Sequence, residues 1–283
     1  MEVTIDFGRS LSGSFAALVR HFGSFLMLTA GWFFLGIATF FSTQIAVIHA
    51  VESWPEFREM IAASNEKLVE LILVVPIGIV SIVGTVSMVI GWHRRVIQGI
   101  VPDGPFPIGI GSLLAYAWRG LLVFGVPGLP FVLTLVGLRE LLPPDPAKAS
   151  MNPLVAIWIF VGIVAVSLVA MRLGVVLPAI AVGDRTITLV KAWRLTKGNT
   201  LKLFFGAFLA ALPFSIVANI GEKVAELPAI AQSDWQTVAY MLGGFSDLLS
   251  YAAVAGFFSL AYVQLREALD EVPTTDPLRV SST

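Results

Sequence analysis

Six uninterrupted apolar segments, each long enough to cross a membrane, constrain the fold of this chain more than any other feature. A helix needs roughly 20 mostly apolar residues to cross about 30 Å of hydrocarbon. The six segments are residues 22–48, 71–92, 121–138, 154–180, 201–220 and 243–265. Because lipid offers the backbone no hydrogen-bond partner, runs this long predict helices and not the short alternating strands of a barrel. We therefore expect an all-α, polytopic membrane protein with six transmembrane helices.

The composition excludes several classes of function. Hydrophobic residues make up 57% of the chain and charged residues 13%, whereas a soluble domain carries about 25% charged residues. Cysteine is absent and the three histidines are scattered, so neither thiolate nor histidine spacing indicates a metal site. Hydrolase, dinucleotide and phosphate-loop motifs are also missing from the sequence. We expect no enzyme activity, no metal or other cofactor, and no nucleic-acid partner.

Lysine and arginine gather on one side of the predicted membrane. Twelve of the eighteen lie in the termini and in the connections on the same side, five lie in the opposite connections, and Arg172 lies inside an apolar run. Cytoplasmic segments carry the excess of positive charge. Both termini are therefore predicted to be cytoplasmic. The first apolar run is too long for a cleavable signal and is expected to stay as an anchor.

A short basic segment around Trp193, residues 184–202, stands directly before the fifth apolar run. Shorter versions, residues 114–119 and 15–21, precede the third and first runs. Tryptophan prefers the headgroup level and arginine reaches anionic lipid, so each segment favours a helix in the membrane plane. We predict three helical hairpins, each preceded by a cytoplasmic interfacial elbow helix. The alternative is that each segment is an ordinary interfacial anchor and not a mark of threefold duplication.

Aromatic and basic residues at these segments form the predicted contact surface for lipid headgroups or for a partner protein. They are Arg94, Arg95, Trp118, Arg119, Trp193, Arg194, Lys197 and Lys202. Two basic loops are neighbours in a compact bundle and would together grip anionic headgroups or an acidic protein surface. The simpler interpretation of Arg94 and Arg95 is a stop-transfer anchor at the end of the second run.

Arg172 is the one strong charge inside an apolar run. It lies about ten residues from Val182, which is roughly 15 Å at 1.5 Å per residue. An ionisable residue at that depth is a functional candidate. Its alternatives are snorkelling to a lipid phosphate or bonding to a helix carbonyl.

Prolines and small residues indicate how the predicted helices bend and pack. Pro127 and Pro130 remove helix hydrogen bonds and predict a broken or kinked third span. A broken span can line a substrate site, although more often it is a packed kink. Small residues at helical spacing predict close backbone approach. They are Ser81, Gly84, Ser87 and Gly91, with the pairs Gly206 and Ala210, and Ala252 and Gly256.

The remaining local patterns are modest. A short helix is predicted to begin at Pro55, whose fixed φ suits a first helical position. Residues 1–271 are predicted to form a single six-helix domain, and residues 272–283 a flexible cytoplasmic tail.

The segment around Trp193 reads Ala192-Trp-Arg-Leu-Thr-Lys-Gly-Asn199 and is followed by Leu201-Lys-Leu-Phe204. It resembles a signature of bacterial six-span proteins related to the membrane domain of glycerophosphoryl diester phosphodiesterases. Residues 178–181, 259–267 and 92–94 are similar to that group too. The resemblance implies a six-span fold, a bacterial inner-membrane location and an auxiliary role near lipids. No soluble phosphodiesterase domain is present in this sequence, and no catalytic residues carry over.

Two functions are compatible with these patterns. The first is a non-enzymatic inner-membrane scaffold or auxiliary protein that engages anionic lipids, or another membrane protein, through its cytoplasmic basic face. The second is a small-molecule or lipid transporter with a site near Arg172 and the proline-bearing helices. A transporter requires a wet polar cavity that reaches Arg172, whereas a scaffold is packed by its glycine and alanine stripes.

Overall fold

The computed structural model describes residues 4–63, 67–104, 108–141, 153–231 and 233–270. Of the described residues, 86% are helical and none lies in a strand. In chain order the helices are α1 (Phe7–Arg20), α2 (Phe22–Ser53), α3 (Pro55–Ala63), α4 (Lys67–Gln98), α5 (Ile110–Leu141), α6 (Pro153–Gly174), α7 (Val176–Ala181), α8 (Leu189–Leu195), α9 (Thr200–Ala225) and α10 (Asp234–Asp270).

Six stretches of helix are long and apolar enough to cross a membrane, as predicted. They are Phe22–Ser53, Val74–Gln98, Ile110–Gly137, Ala156–Ala181, Thr200–Ala225 and Trp235–Asp270. Most extend beyond the predicted apolar runs, because flanking polar residues continue the helices without interruption. The predicted all-helical fold is therefore confirmed, with six helices in the described residues that could span a membrane.

The fourth span is interrupted near Pro178. It is divided into α6 and α7, with Val175 between them. Pro178 lies four residues after Gly174, the last residue of α6. A proline ring clashes with the carbonyl four residues earlier, so the interruption falls where this clash would arise.

Of the break or kink predicted for the third span, the break is wrong. Helix α5 continues through both Pro127 and Pro130. A proline removes one backbone donor, and neighbouring groups can compensate within a long apolar helix. The Thr134 hydroxyl, for example, donates to the carbonyl of Pro130 at 2.7 Å.

Two of the three predicted elbow segments form short helices of their own, and the middle one does not. Helix α1 ends at Arg20, because the next residue, His21, lies outside helical geometry. Helix α8 ends before Gly198, whose φ of 79° favours glycine. Residues 114–119 instead lie within α5, because no proline, positive-φ glycine or cap separates them from the apolar run.

The short helix predicted at Pro55 is confirmed as α3. The predicted tail, residues 272–283, lies outside the described residues.

Helix α10 is the centre of the packing. It contacts α9 most extensively and also packs against α1, α4 and α7. Helices α2 and α4 contact each other, as do α5 and α6. Of the most apolar stretch of α10, 61% is buried, against 6% for α5. The bundle is thus built around its last helix, and α5 lies at its periphery.

The predicted small-residue stripes lie at helix contacts. A Cβ on Gly84 would approach Trp32 of α2 at 2.9 Å, and one on Gly91 would approach Leu28 at 2.5 Å. A Cβ on Gly206 would overlap the ring of Phe257, which is fully buried. Glycine is required at these positions because the neighbouring side chain occupies the space of a methyl group.

Gly206→Ala should lower the free energy of unfolding by about 1–3 kcal/mol, because overpacking displaces the Phe257 ring. Thermal unfolding of the purified protein in detergent would measure the change. Gly36→Ala is the matched control, since a Cβ there meets nothing within 4 Å. Equal melting temperatures for the two variants would contradict the inferred packing.

Candidate functional site at the basic end of the bundle

Most of the hydrogen bonds between helices occur where α4 and α10 end and α9 begins. We call this region the basic end; it comprises α1, residues 90–104, the first three turns of α5, residues 170–202 and residues 255–270. It contains all eight residues of the predicted contact surface, and also Arg172. The geometry of the basic end shows which of these side chains bond to other parts of the protein and which are exposed.

A fully buried histidine connects three helices at this end. His93 Nδ1 lies 2.7 Å from the Ser259 hydroxyl of α10, and Nε2 lies 3.1 Å from the Tyr116 hydroxyl of α5. The single hydroxyl hydrogen of Ser259 donates to the Ala255 carbonyl at 2.8 Å. We therefore assign the hydrogen to Nδ1, which donates to Ser259, while Nε2 accepts from Tyr116. Every polar atom of this chain of bonds is then satisfied.

This network was missed at the sequence level. His93 stands between Trp92 and Arg94, a sequence typical of an interfacial anchor. Ser259 stands in the last apolar run, where a serine often bonds to a neighbouring helix. The pairing of the two residues depends on how α4 and α10 align, and no sequence spacing reports that.

Asp184 forms a second connection, between the loop before α8 and the end of α10. Its carboxylate accepts from the Thr186 amide at 2.8 Å and from the Tyr262 hydroxyl at 2.7 Å. Arg266 Nε lies 3.9 Å from it. Partial burial raises the pKa of Asp184, but these hydrogen bonds and the Arg266 charge outweigh that effect and hold its pKa below the ordinary 3.8.

The segment before α1 is tied to the start of α9 and the end of α10. The Ile5 amide donates to Asn199 Oδ1 at 2.9 Å, and Lys202 Nζ donates to the Ile5 carbonyl at 3.0 Å. The Asp6 amide donates to Gln264 Oε1 at 2.7 Å. Since Ile5 is fully buried, the segment formed by Ile5 and Asp6 is an integral part of the bundle. The Lys202 side chain therefore joins the start of α9 to the segment before α1.

Arg172 is held against α8. Its guanidinium lies 3.5 Å from the centre of the Trp193 indole, a cation–π geometry. Nη2 donates to the Trp193 carbonyl, and Nε lies 3.4 Å from the Thr196 hydroxyl. Of the alternatives open from the sequence, the structure gives Arg172 a helix carbonyl as partner. The last turn of α6 is thereby joined to the Trp193 helix.

Arg94 and Arg95 also bond within the protein. Arg94 Nε donates to the Ala181 carbonyl at 2.7 Å, which joins α4 to α7. Arg95 Nη1 donates to the Gly99 carbonyl at 2.7 Å, and Nη2 donates to His21 Nδ1 at 3.0 Å. Burial, followed by the charges of Arg95 and Arg20, lowers the pKa of His21 below the ordinary 6.5.

The other members of the predicted surface are presented outward. Arg194 and Lys197 are exposed, and among the described residues neither side chain has a hydrogen bond or an ion pair. The Trp118 side chain is 58% exposed and that of Trp193 is 39% exposed. Arg119 is half-buried. Exposure therefore divides the eight predicted residues into two groups with different roles.

Helix α1 adds two exposed cations that were not predicted as site residues. It runs from Asn199 and Lys202 near α9, across α10, to Arg95 at the end of α4. Its inner face places Ser14 within about 3.5 Å of where a Cβ on Gly256 would lie. Arg9 and Arg20 point away from the bundle and are exposed. Arg9 and Arg20 are separated by about three helical turns and therefore lie on the same face of α1. This spacing could have indicated their role.

Comparison with family models, with curated proteins and with solved structures found no match for this chain. The resemblance seen in the Trp193 segment therefore stays a prediction.

His93→Leu should lower the free energy of unfolding by about 1–3 kcal/mol, because it leaves the buried Tyr116 hydroxyl without an acceptor. Combining it with Tyr116→Phe should cost less than the sum of the two single changes. Thermal unfolding of the four proteins would test this. His49→Leu is the control, since His49 is exposed on α2. Strict additivity would show that the two side chains do not interact.

Lowering the pH from 7.5 to 5 should destabilise the folded protein through His21. Its pKa is lowered by folding, so the unfolded chain binds the proton more readily, and the contribution of His21 is lost as the pH falls below about 6.5. Protonation also removes the acceptor for Arg95. Melting temperatures across this range should fall less steeply for His21→Gln than for the wild type. His49→Gln should retain the wild-type slope; a loss of slope in that variant would contradict the assignment.

Proposed function

We propose that this chain is a non-enzymatic, multi-pass membrane protein that engages anionic lipid headgroups through exposed residues of its basic end. The residues that carry this role are Arg9, Arg20, Trp118, Trp193, Arg194 and Lys197. Arg94, Arg95 and Lys202 serve mainly to hold the surface in place. An auxiliary or scaffolding role beside a lipid process in the bacterial inner membrane is the broader context.

One observation supports this proposal above the others: the stacking of Arg172 on Trp193. The contact fixes the position of α8, while 39% of the Trp193 side chain and the neighbouring Arg194 remain exposed. An indole with a free cation beside it suits the membrane interface, where the ring lies at the headgroup level and the cation reaches phosphate. A surface that is ordered before binding loses less entropy when a ligand arrives.

The proposed topology follows from the same surface. The basic end faces the cytoplasm, where anionic lipids and the excess of positive charge are expected. The pairs α2 with α4, α5 with α6, and α9 with α10 are then three hairpins. Helices α1 and α8 are the elbow helices of the first and third. The middle hairpin begins with residues 114–119 as part of its first span.

The alternative transporter function would place a substrate near Arg172. The hydrogen bonds and stacking of Arg172 occupy its guanidinium. These contacts give the side chain a structural role, so we favour the lipid-engaging function.

Arg194→Gln combined with Lys197→Gln should reduce the preference for anionic lipid. Each basic side chain near an anionic surface contributes about 1 kcal/mol, so two charges correspond to up to roughly thirtyfold in relative affinity. The ratio of phosphatidylglycerol to phosphatidylcholine bound from mixed micelles, measured by native mass spectrometry, tests this. The wild-type preference should also weaken as salt is added.

The matched control removes two charges from the other end of the bundle, Arg58→Gln with Lys223→Gln. This variant should keep the wild-type lipid ratio. An unchanged ratio in the Arg194 and Lys197 variant would overturn the lipid proposal. Loss of a co-purifying protein in that same variant would instead favour a protein partner.

A further inference from the structure

A cavity of about 330 Å³ opens at the basic end, between the last turn of α4, the loop that follows it and the end of α7. Its lining includes Arg94 and Gln98 of α4 and Asp103 of the loop. The volume is at the lower limit of the roughly 300–1,000 Å³ typical of ligand pockets. The cavity therefore suits a small polar group and not a large apolar molecule.

The polar atoms on the α4 side of the cavity are partly free. Arg94 uses Nε for the Ala181 carbonyl, and Nη2 lies 3.5 Å from the Ser112 hydroxyl. Within the described ranges its Nη1 has no hydrogen-bond partner. Gln98 Nε2 donates to the Val182 carbonyl at 3.2 Å. These bonds orient both side chains, and the donors that remain on Arg94 suit an anionic oxygen, above all a phosphate.

The loop side of the cavity carries the opposite charge. Asp103 is exposed, and the part of the chain that the structure describes shows no ion pair between it and Arg94. A positive group is therefore favoured beside Asp103, while a negative group is favoured beside Arg94.

Apolar side chains border these charges. Ile100 is 50% exposed and Val101 is 59% exposed, and both line the cavity. A ligand with a charged head and an apolar continuation would contact both kinds of surface.

We propose that this cavity binds a phosphoethanolamine group, with its phosphate on Arg94 and its ammonium on Asp103. The group is the head of a zwitterionic phospholipid and also occurs in soluble phosphate esters. The site is separate from the proposed anionic-lipid surface, because it uses charges that line a cavity and not the exposed cations of α1 and α8. It holds one cation and one anion apart, and a ligand with both charges satisfies each.

Short-chain lipids test the site on the purified full-length protein. Titration with dihexanoyl phosphatidylethanolamine should give at least about tenfold tighter binding than dihexanoyl phosphatidylglycerol, which has the phosphate but no amine. Asp103→Asn should remove this preference by weakening phosphatidylethanolamine binding alone. Arg94→Gln should weaken both lipids by about ten- to hundredfold, the range expected for charge-assisted hydrogen bonds.

Controls separate the site from general effects. Glu267→Gln removes an exposed carboxylate from α10 and should leave both affinities unchanged. Arg194→Gln should leave the phosphatidylethanolamine affinity unchanged, although it weakens phosphatidylglycerol binding at the proposed anionic surface. Asp103 is exposed and bonds to no described residue, so its variant tests the proposal even if Arg94→Gln fails to fold.

The outcomes divide clearly. Equal affinity for the two lipids in the Arg194→Gln variant, in which the anionic surface is weakened, or an unchanged preference in Asp103→Asn, would overturn the proposal. Free O-phosphoethanolamine that binds as tightly as the lipid would identify a soluble ester as the ligand. Weaker binding of the free ester would identify the lipid, with Ile100 and Val101 providing the additional contact.

Discussion

Close packing of the last helix, α10, is the constraint on which the rest of the structure depends. Water does not drive apolar helices together inside a membrane, so association relies on close contact between small residues and on hydrogen bonds between helices. Helix α10 provides both kinds of contact. Gly256 lets α1 approach, and Ser259 bonds to His93 of α4. The buried core is accordingly concentrated around α10, and α5 is left at the periphery.

The polar bonds around α10 also explain why the basic end has two kinds of cation. Arg94, Arg172 and Lys202 donate to backbone carbonyls of other segments, and Arg95 donates to Gly99, directly after its own helix. Carbonyls in the last turn of a helix have no backbone amide partner within that helix, so Arg94 at the end of α7 and Arg172 at the end of α8 join the helices there. The cations that have no such carbonyl within reach remain exposed. The exposed cations are thus carried by helices that the hydrogen-bonded cations hold together.

Much of this architecture could be predicted from residue type and spacing. The six apolar runs, the helix at Pro55 and the glycines of α4 depend on short-range rules: length, a fixed φ and the size of a side chain. Predictions that depended on context were less accurate. Pro127 and Pro130 lie within a continuous helix, whereas Pro178 follows an interruption, although all three prolines occur in apolar runs. Each proline leaves one backbone carbonyl without its usual amide partner. The groups that bond to that carbonyl instead differ from site to site, and the sequence does not predict them.

The sequence by itself determined that this chain has six apolar helices with most of its positive charge at one end, because hydrophobicity and charge are properties of each residue alone. Only the tertiary structure decided which charges are free. His93 and Ser259 are 166 residues apart, and Arg172 and Trp193 meet because α6 and α8 pack together. A cation resembles any other cation in a sequence. Whether a given cation joins helices or contacts a ligand depends on whether folding brings a carbonyl, an indole or a cavity beside it.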